Sequence, residues 1–431
     1  LILRISALFI NSFLSLNLFH NSTNFNQFVY EDPFDTRYVS TSLIRGSPPS
    51  PSFSFGGTQM GHSERISFSN GGKLDLTVMN LKRHDIKLGI SGRIDDLKED
   101  VFTILYDEFN YPNPTVLPAN ESPSHSYYNK KALFLSGYLQ DKIEYENMVI
   151  NIGLRYDQFN PDDNYIANLV NPEGEMKKAR DKKMYSPRFG ISFPITEKGI
   201  VHFSYGHFYQ MPTLRNLYKQ SIFGANQSPT VGYANLNPEK TVQYEFGLQQ
   251  QLTQFIAFDM SLYYKDVRDL LALQSISYDS PNYGPSSYRV YLNKDYASVK
   301  GLTFSLTKRY DPITRISAFF DYGFQISEGN SVTSGSFYFN TLTGIQEEKK
   351  VVPLSWDQRH IFNTTVTYNH YNKWGISFIG KLSSGWPYTP NIPFANYIPD
   401  PNSDRKPWQQ NVNTRLFKNV SLREHSVVLF L

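Results

Sequence analysis

The sequence predicts an all-β protein, an antiparallel β-barrel that spans a membrane. Apolar and polar residues alternate strictly over runs of about a dozen residues, which is the period of a strand with one apolar and one polar face. Short turns alternate with long polar loops along the chain, so the long loops gather at one end. Aromatic residues make up 15% of the chain, with 30 Tyr and 32 Phe, and such residues fit best in β-structure.

The clearest pair of strands lies at residues 239–266. Two alternating runs are joined at Thr253 and Gln254, a link short enough only for a tight hairpin. Gln243 and Glu245 lie on the polar face of the first run. The opposite, apolar face is predicted to contact lipid, and it carries Val242, Tyr244, Phe246, Leu248, Ile256, Phe258, Met260 and Leu262.

The beginning of the chain admits two interpretations. Residues 1–19 alternate like a single strand, and they also have the Arg-then-apolar order of a signal peptide. The strand is favoured because no small-x-small cleavage site follows. Residues 21–51 are polar and proline-rich, which predicts loop. Because the chain opens on Leu1 within an alternating run, we expect it to be a fragment.

The same hairpin plan recurs along the chain. Seven hairpins with short turns give about fourteen strands, and the N-terminal run adds one or two, so we expect about 14–16 strands. The hairpins lie at residues 65–91, 132–159, 188–210, 239–266, 296–326, 358–384 and 412–430. The predicted long loops lie at residues 95–130, 160–185, 211–238, 269–287, 327–353 and 385–410.

The strand and loop lengths indicate an outer-membrane barrel. Strands of roughly 10 to 14 residues are long for a soluble protein and cover the ~9–11 residues that a tilted strand needs to cross a bilayer. Loops that are long at one end only are typical of barrels with short periplasmic turns and long external loops. Aromatic residues near strand ends predict a girdle at the membrane interface: Tyr145, Tyr156, Tyr205, Tyr209, Tyr264, Tyr368 and Trp374.

Composition argues against several other classes of protein. No run of about 18 consecutive apolar residues occurs, so no transmembrane helix is predicted. The mean hydropathy of −0.42 is compatible with a membrane barrel, because alternation averages to mild polarity. A net charge of +3 without a basic stripe predicts no nucleic-acid partner. The absence of cysteine removes disulfide and thiol chemistry, and no cofactor or metal is expected.

A barrel enzyme and a passive porin are the alternatives. The only group resembling a catalytic triad is Ser204, His202 or His207, and Asp157, but the two histidines have opposite parity and no G-x-S-x-G motif occurs. No histidines have close metal-ligand spacing. A porin would need a constriction of paired acidic and basic residues on an inward loop, and none stands out. We therefore predict that the protein is not an enzyme.

Several segments resemble the β-barrel of TonB-dependent outer-membrane receptors. They occur in the family's order, at residues 137–159, 186–218, 236–252, 299–310, 357–368 and 384–390. The resemblance implies a barrel of about 22 strands that is plugged by an N-terminal domain. It also implies active import of a scarce ligand (a siderophore, cobalamin, a glycan or a peptide) across the outer membrane of a Gram-negative bacterium.

The chain departs from this family pattern in two ways. Residues 1–431 include no plug domain and no TonB-contacting segment, so we expect them to form only part of the receptor barrel. The barrel is also expected to be incomplete at its N-terminal side. The expected partners are outer-membrane lipid, the protein's own plug domain, the TonB complex and an extracellular ligand.

Ligand binding is expected on the external loops and the upper inner wall. Tyr and Trp offer large rigid contact surfaces, and Arg grips anionic groups. The candidate binding residues are Arg215, Tyr218, Phe223, Tyr233, Tyr278, Tyr283, Tyr288, Trp386, Tyr388 and Trp408.

Overall fold

The computed structural model describes residues 2–40, 57–107, 109–122, 124–219, 223, 229–330, 350–371, 373–390, 399–422 and 425–430. They form an all-β fold with one short helix, α1, at Leu214–Tyr218. The strands are β1 (Ile2–Phe9), β2 (Ser12–Gln27), β3 (Gly61–Leu81), β4 (His84–Thr103), β5 (Ser126–Tyr145), β6 (Met148–Asn160), β7 (Asn164–Ile166), β8 (Met176–Lys178), β9 (Lys182–Thr196), β10 (Gly199–Gln210), β11 (Thr230–Val231), β12 (Glu239–Gln251), β13 (Ile256–Ser280), β14 (Gly284–Lys308), β15 (Ile316–Gly329), β16 (Val352–Pro353), β17 (His360–His370), β18 (Trp374–Ser383), β19 (Pro387–Tyr388), β20 (Asp404–Arg405), β21 (Gln409–Leu422) and β22 (His425–Phe430).

The longer strands form one antiparallel meander. Setting aside the six strands of two or three residues leaves sixteen, each paired with its neighbours along the chain. Within the described residues, β1 pairs only with β2 and β22 only with β21, so these two edges do not close the sheet. The predicted fold, an incomplete antiparallel barrel of about 14–16 strands, is confirmed.

The turns divide the molecule into two ends. Eight hairpins reverse at one end, which we call the short-turn end, through connections such as 146–147 and 197–198. The other end carries the long connections, and we call it the mouth. The predicted pattern of short turns facing long loops is therefore present in the structure.

The hairpin β12–β13 turns through residues 252–255 and has the two faces that its alternation predicts. Leu248 lies opposite Met260, and Phe246 opposite Leu262. All eight residues predicted for the apolar face share one side of this hairpin, because paired residues in a sheet point to the same face. Tyr244, Phe246 and Leu262 are more than two-fifths exposed on that side.

Three loop or strand boundaries differ from prediction. The predicted single N-terminal strand is a hairpin that turns at Ile10 and Asn11, where Asn11 adopts a φ of 61°, and β2 continues to Gln27. In the predicted loop 95–130, β4 continues to Thr103 and β5 begins at Ser126. These strand ends are polar because the sheet extends beyond the apolar band that contacts lipid. Outside that band the outward side chains need not be apolar, so the sequence no longer alternates.

The predicted loop 269–287 is also wrong, since most of it is strand. Strands β13 and β14 each run for 25 residues and turn only at residues 281–283. Register shifts between Val267 and Leu271 mark the place where the hairpin departs from the regular ladder. A bulge bends a strand and increases its twist, which lets this hairpin project from the mouth. Most of the predicted loop 327–353 lies outside the described residues.

The two faces of the sheet differ in chemistry. The outer face exposes Leu and Phe side chains, including Leu139 at 57% and Phe378 at 47%. The inner face is polar, and aromatic rings on it lie over glycines of neighbouring strands. Tyr138 is directly opposite Gly89, where a Cβ would lie 2.5 Å from the ring. Glycine at this position lets the ring lie flat, and the Tyr138 hydroxyl donates to Asp75 at 2.8 Å.

Candidate functional site

The mouth contains a buried cluster in which a loop packs onto the inner face of the sheet. Tyr128 and Phe159 project inward from β5 and β6, and Leu217 and Tyr218 of α1 cover them. All four side chains are at most 4% exposed. Helix α1 therefore packs over the inner wall, and apolar burial is what fixes it there.

A second buried cluster joins three external segments. Tyr278 and Tyr288 from the projecting hairpin β13–β14 pack with Ile166 of β7 and Val231 of β11. The Tyr288 side chain is fully buried, and its hydroxyl donates to the carbonyl of Leu169 at 2.8 Å. These contacts fix the projecting hairpin to the loop between β6 and β9.

A buried carboxylate anchors α1 to the inner wall. Glu99 of β4 is 2% exposed and lies between two guanidinium groups. Its Oε2 is 2.8 Å from Arg65 Nε, and its Oε1 is 3.4 Å from Arg215 Nε. Arg65 comes from β3 and Arg215 from α1, so one carboxylate connects two strands to the helix. A buried carboxylate is stable only when paired in this way.

The end of α1 is held by a buried tyrosine. The Tyr218 hydroxyl donates to the carbonyl of Pro161 at 2.7 Å, and burial raises the pKa of this phenol above its usual range. The next residue, Lys219, is also largely enclosed, and burial and then the nearby Arg215 charge lower the pKa of its ammonium group. Both effects identify the end of α1 as a poorly solvated part of the mouth.

A cavity of about 410 Å³ lies between the segments of the mouth. Its wall combines aromatic rings with groups that form hydrogen bonds, and its described lining has a single ammonium group, that of Lys219. The lining includes Asn120, His125, Tyr127, Asp163, Asn164, Tyr165, Met176, Leu217, Tyr218, Lys219, Phe223 and Val231. Tyr127 is 42% exposed and Asp163 is paired with Lys130 at 2.7 Å. We call this space the mouth cavity.

The inner wall below the mouth carries basic side chains. Arg155 forms a two-pronged pair with Asp157, with Nε–Oδ2 and Nη2–Oδ1 distances of 2.8 and 2.6 Å. Arg188 lies over the ring of Phe208 at 4.9 Å, and among the described residues no carboxylate is within ion-pair distance of it. Arg155 and Arg188 both line two wall cavities of about 540 and 360 Å³. This wall is suited to holding an anionic group.

Another buried carboxylate joins the remaining external connections. Asp357 is fully buried and accepts hydrogen bonds from the Ser327 amide and from Arg359 Nε, both at 2.8 Å. The guanidinium of Arg405 donates to the same carboxylate, and its Nη1 donates to the Asp357 carbonyl at 2.7 Å. Strand β20 is thereby fixed to the segment that precedes β17.

The structure brings six of the ten predicted binding residues together at the mouth. Arg215, Tyr218, Phe223, Tyr233, Tyr278 and Tyr288 contribute to the two clusters or their margins. Tyr283 stands apart at the tip of the β13–β14 hairpin, 53% exposed. Several of the six are packed against protein, and whether any of the ten contacts ligand stays a prediction.

The last three predicted residues lie on the other side of the mouth. Trp386 and Tyr388 are in the connection 384–408, and the Tyr388 hydroxyl donates to Asp404 at 2.9 Å. Trp408 stacks on His360 with ring centroids 5.8 Å apart. The register places His360 on the same face as the exposed Phe362, so Trp408 lies on the outer face. This position belongs to the aromatic girdle.

Sequence reasoning missed the charged residues that anchor the mouth. Glu99 lies in a stretch predicted as loop, and nothing in its local sequence marks it as buried. Asp357 and Arg405 are almost fifty residues apart. Lys219 follows the segment 186–218, which was singled out only for its family resemblance. The sequence did offer one signal of a longer strand. Charged residues occupy positions that continue the alternation of faces from the preceding strand.

The histidines predicted to have opposite parity do point to opposite faces. His202 lies 3.8 Å from Glu245 on the inner face. The His207 Nε2 is 2.6 Å from the Tyr205 hydroxyl on the outer face. Within the described part of the chain, no group of three or more His, Cys, Asp or Glu residues is arranged to hold a metal ion. No helix in that part is long and apolar enough to cross a membrane.

Known proteins with a similar sequence pattern or a similar fold identify the family of this chain. Residues 7–423 match the family model described as TonB dependent receptor-like, beta-barrel. No curated protein matches the chain in sequence. Solved structures with a similar fold include the outer-membrane transporter YddB from Escherichia coli, with a TM-score of 0.64 and 14% identity. The match covers 96% of this chain and 55% of that one.

Two further structures have the same fold. The siderophore receptor PiuA from Acinetobacter baumannii matches with a TM-score of 0.62 and 13% identity over 97% of this chain and 57% of that one. The copper transporter OprC matches with a TM-score of 0.59 and 13% identity over 95% and 55%. The chain thus spans little more than half the length of these transporters. This protein is an outer-membrane barrel of a Gram-negative bacterium and belongs to the TonB-dependent receptor-like β-barrel family.

Proposed function

We propose that this chain forms the barrel of an uptake receptor that imports a scarce extracellular ligand with energy supplied through the TonB complex. Membership of the family supports the class of function. The observation that carries the proposal is the mouth cavity. Its external segments pack against one another around a partly open space of about 410 Å³, where a small ligand fits.

The lining of the mouth cavity supports binding of a compact ligand with both flat apolar and polar parts. Tyr127 and Tyr165 offer ring faces, and Asn164 and Asn120 offer amides that both donate and accept hydrogen bonds. Lys219 adds one cation in a poorly solvated place, where its attraction for an anionic group is strong. The ten predicted binding residues are carried into this proposal as residues that shape or border the mouth.

The inner wall supports a path inward from the mouth. Arg155 and Arg188 line wall cavities directly below the packed loop 211–238. In the full-length receptor a plug domain would face this wall, and its displacement by the TonB complex would open the path. The proposed partners are therefore the plug domain, the TonB complex, outer-membrane lipid and the extracellular ligand.

The experiment that tests the function compares growth with and without TonB. A strain lacking the full-length gene is supplied with limiting amounts of one nutrient at a time. Ferric siderophores and copper come first, because similar structures include a siderophore receptor and a copper transporter, followed by cobalamin, glycans and peptides. We expect one nutrient to support growth only when both the receptor and TonB are present. Growth that needs the barrel but not TonB would identify a passive pore instead.

A second experiment tests the mouth cavity itself. Tyr127→Ala and Lys219→Ala remove a ring and a cation from its lining. We expect each to weaken binding of the identified nutrient about tenfold, which corresponds to about 1.4 kcal/mol. Phe109→Ala is the matched control, because Phe109 is an external aromatic residue that is 88% exposed and does not line the cavity. Equal binding by all three variants would place the ligand elsewhere.

A further inference from the structure

A cluster of aromatic rings surrounds an arginine on the outer face at the short-turn end. Arg315 precedes β15, and the rings come from the adjacent turn between β17 and β18. Tyr368 and Trp374 share the outer face, because Tyr368 is opposite Ile376 and Trp374 is opposite His370 in the ladder. We call Arg315, Tyr368, His370, Tyr371 and Trp374 the Arg315 cluster.

The guanidinium of Arg315 is held by a histidine ring and two tyrosine hydroxyls. Its Nη1 donates to His370 Nδ1 at 3.0 Å and lies 3.5 Å from the Tyr368 hydroxyl. Its Nη2 donates to the Tyr371 hydroxyl, and its central carbon lies 3.9 Å from the centre of the Tyr371 ring. His370 in turn stacks on Trp374 with ring centroids 5.4 Å apart. These contacts fix the orientation of the guanidinium without neutralising its charge.

The charge of Arg315 is not compensated by an acidic partner within the described residues, since none with a carboxylate lies within ion-pair distance of it. The nearby Asp311 accepts hydrogen bonds from the Ile313 amide and the Thr314 hydroxyl, and it pairs with Lys308 at 3.7 Å. Arg315 Nε is buried and has no hydrogen-bond acceptor among those residues. The cluster therefore contains a fixed cation that is available to an anion.

Further cations and exposed rings surround this site. Lys418 lies opposite Trp374 in the ladder, and Lys373 precedes Trp374; both lysines are exposed. Tyr371 and Trp374 are 60% and 45% exposed. Exposed aromatic rings at strand ends sit at the level of lipid headgroups, with the cations reaching toward phosphate oxygens. The surface is therefore complementary to an anion at the membrane interface.

Arg315 and Tyr371, whose side chains contact each other, lie at short turns and both adopt left-handed conformations with φ of 56° and 49°. The short-turn end faces the periplasm, so the membrane leaflet beside this cluster is the periplasmic one.

We propose that the Arg315 cluster binds the phosphate of a phospholipid headgroup in the periplasmic leaflet of the outer membrane. The Arg315 Nη2 carries a second N–H beyond the one it donates to Tyr371, so the guanidinium can donate a charge-assisted hydrogen bond to a phosphate oxygen. Trp374 and Tyr371 contact the glycerol and upper acyl region, and Lys418 and Lys373 add attraction for the anionic headgroup. The site attaches this edge of the barrel to a specific lipid.

The test measures lipid retention by the full-length receptor in native mass spectrometry. The protein is purified from membranes containing phosphatidylglycerol, and bound lipid is counted as detergent is exchanged. Arg315→Gln is expected to lower retention of phosphatidylglycerol about tenfold, and Lys418→Gln about threefold. Lys82→Gln is the matched control, because Lys82 is an exposed turn cation at the same end with a similar φ of 64°. The control should retain lipid like the unmodified receptor.

Two further arms distinguish a lipid site from a free-anion site and from a folding defect. Inorganic phosphate in millimolar excess should not displace the lipid, whereas displacement would identify a free-anion site and overturn the proposal. Folding of each variant is checked by its resistance to SDS before heating. If Arg315→Gln does not fold, Lys418→Gln carries the test alone, since its side chain is exposed. Unchanged retention in the folded variants would also overturn the proposal.

Discussion

At the short-turn end, β12 and β13 reverse through residues 252–255, whereas at the mouth the same sheet continues into packed loops and a hairpin of two 25-residue strands. The hairpin at the short-turn end requires only that apolar and polar residues alternate, because every outward side chain meets the same apolar surroundings. The mouth depends on partners far apart in sequence, such as Glu99 with Arg215 and Asp357 with Arg405. We therefore expect polar substitutions near the short-turn end to be harmful on the lipid-facing side only, and the mouth to depend on a few individual charges.

The largest effect is expected from removing a buried charge at the mouth. Asp357→Ala leaves Arg359 and Arg405 without their shared carboxylate and the Ser327 amide without its acceptor. Loss of one partner of a buried ion pair costs about 3–5 kcal/mol, so the free energy of unfolding in urea should fall by that amount. Lys350→Gln is the control, because its pair with Asp400 is exposed on both sides and should contribute under about 1 kcal/mol. Equal stability of the two variants would show that Asp357 does not anchor the mouth.

The next effect tests the outer face. Met260 lies opposite Leu248, farther from the short turn than Phe258, so Met260→Arg should destabilise the barrel by about 2–4 kcal/mol in a refolding titration into lipid vesicles. Phe258 is only two residues from the start of β13, and its replacement by Arg should cost less, about 0–1 kcal/mol near the interface. Gln249→Arg, at a similar depth on the inner face, should stay within about 0.5 kcal/mol of the parent. A larger loss of stability in Gln249→Arg than in Met260→Arg would mean that the lipid-facing and inner faces have been assigned the wrong way round.

A smaller and more local effect is expected at the α1 anchor. Glu99→Gln removes the charge that Arg65 and Arg215 share, which weakens the attachment of α1 by about 1.5–3 kcal/mol. Hydrogen exchange at residues 214–218 should accelerate, while exchange in β12 should be unchanged. Unaltered protection of α1 would mean that apolar burial alone holds the helix.

The smallest effect is expected from one buried hydroxyl. Tyr218→Phe leaves the carbonyl of Pro161 without its 2.7 Å hydrogen bond, while the ring still fills the cluster. The expected loss of stability is about 1–2 kcal/mol, measured as a lower midpoint of thermal unfolding. Tyr283→Phe is a matched control, because Tyr283 is exposed at the hairpin tip. A shift as large in Tyr283→Phe would exclude a specific role for the buried hydroxyl.

The sequence predicts the part of the fold in which apolar and polar residues alternate along the strands. The shared face of Leu248 and Met260 and the opposite faces of His202 and His207 follow directly from alternation. The N-terminal hairpin was predicted as one strand because alternation continues through the turn, and only Asn11, a residue that tolerates positive φ, marks the reversal.

The mouth is less predictable for a physical reason. Beyond the apolar band a strand needs no alternation, so the extension that carries Glu99 has the composition of a loop. The projecting β13–β14 hairpin was predicted as a loop for the same reason, because its buried rings, Tyr278 and Tyr288, pack against other loops and not against lipid. Which charges meet there depends on segments that are distant in sequence, from almost fifty residues for Asp357 and Arg405 to more than a hundred for Glu99 and Arg215, and no local pattern encodes such contacts.

The claim that the long-loop end is an external mouth and the opposite end faces the periplasm has a direct test. The chain contains no cysteine, so single substitutions can be labelled without background. Tyr283→Cys is at the tip of the β13–β14 hairpin, and Thr253→Cys is in the exposed turn between β12 and β13. A membrane-impermeant maleimide applied to intact cells should label Tyr283→Cys and should label Thr253→Cys only after the outer membrane is permeabilised. Labelling of Thr253→Cys in intact cells, with Tyr283→Cys protected, would contradict the orientation on which the mouth and the lipid site both depend.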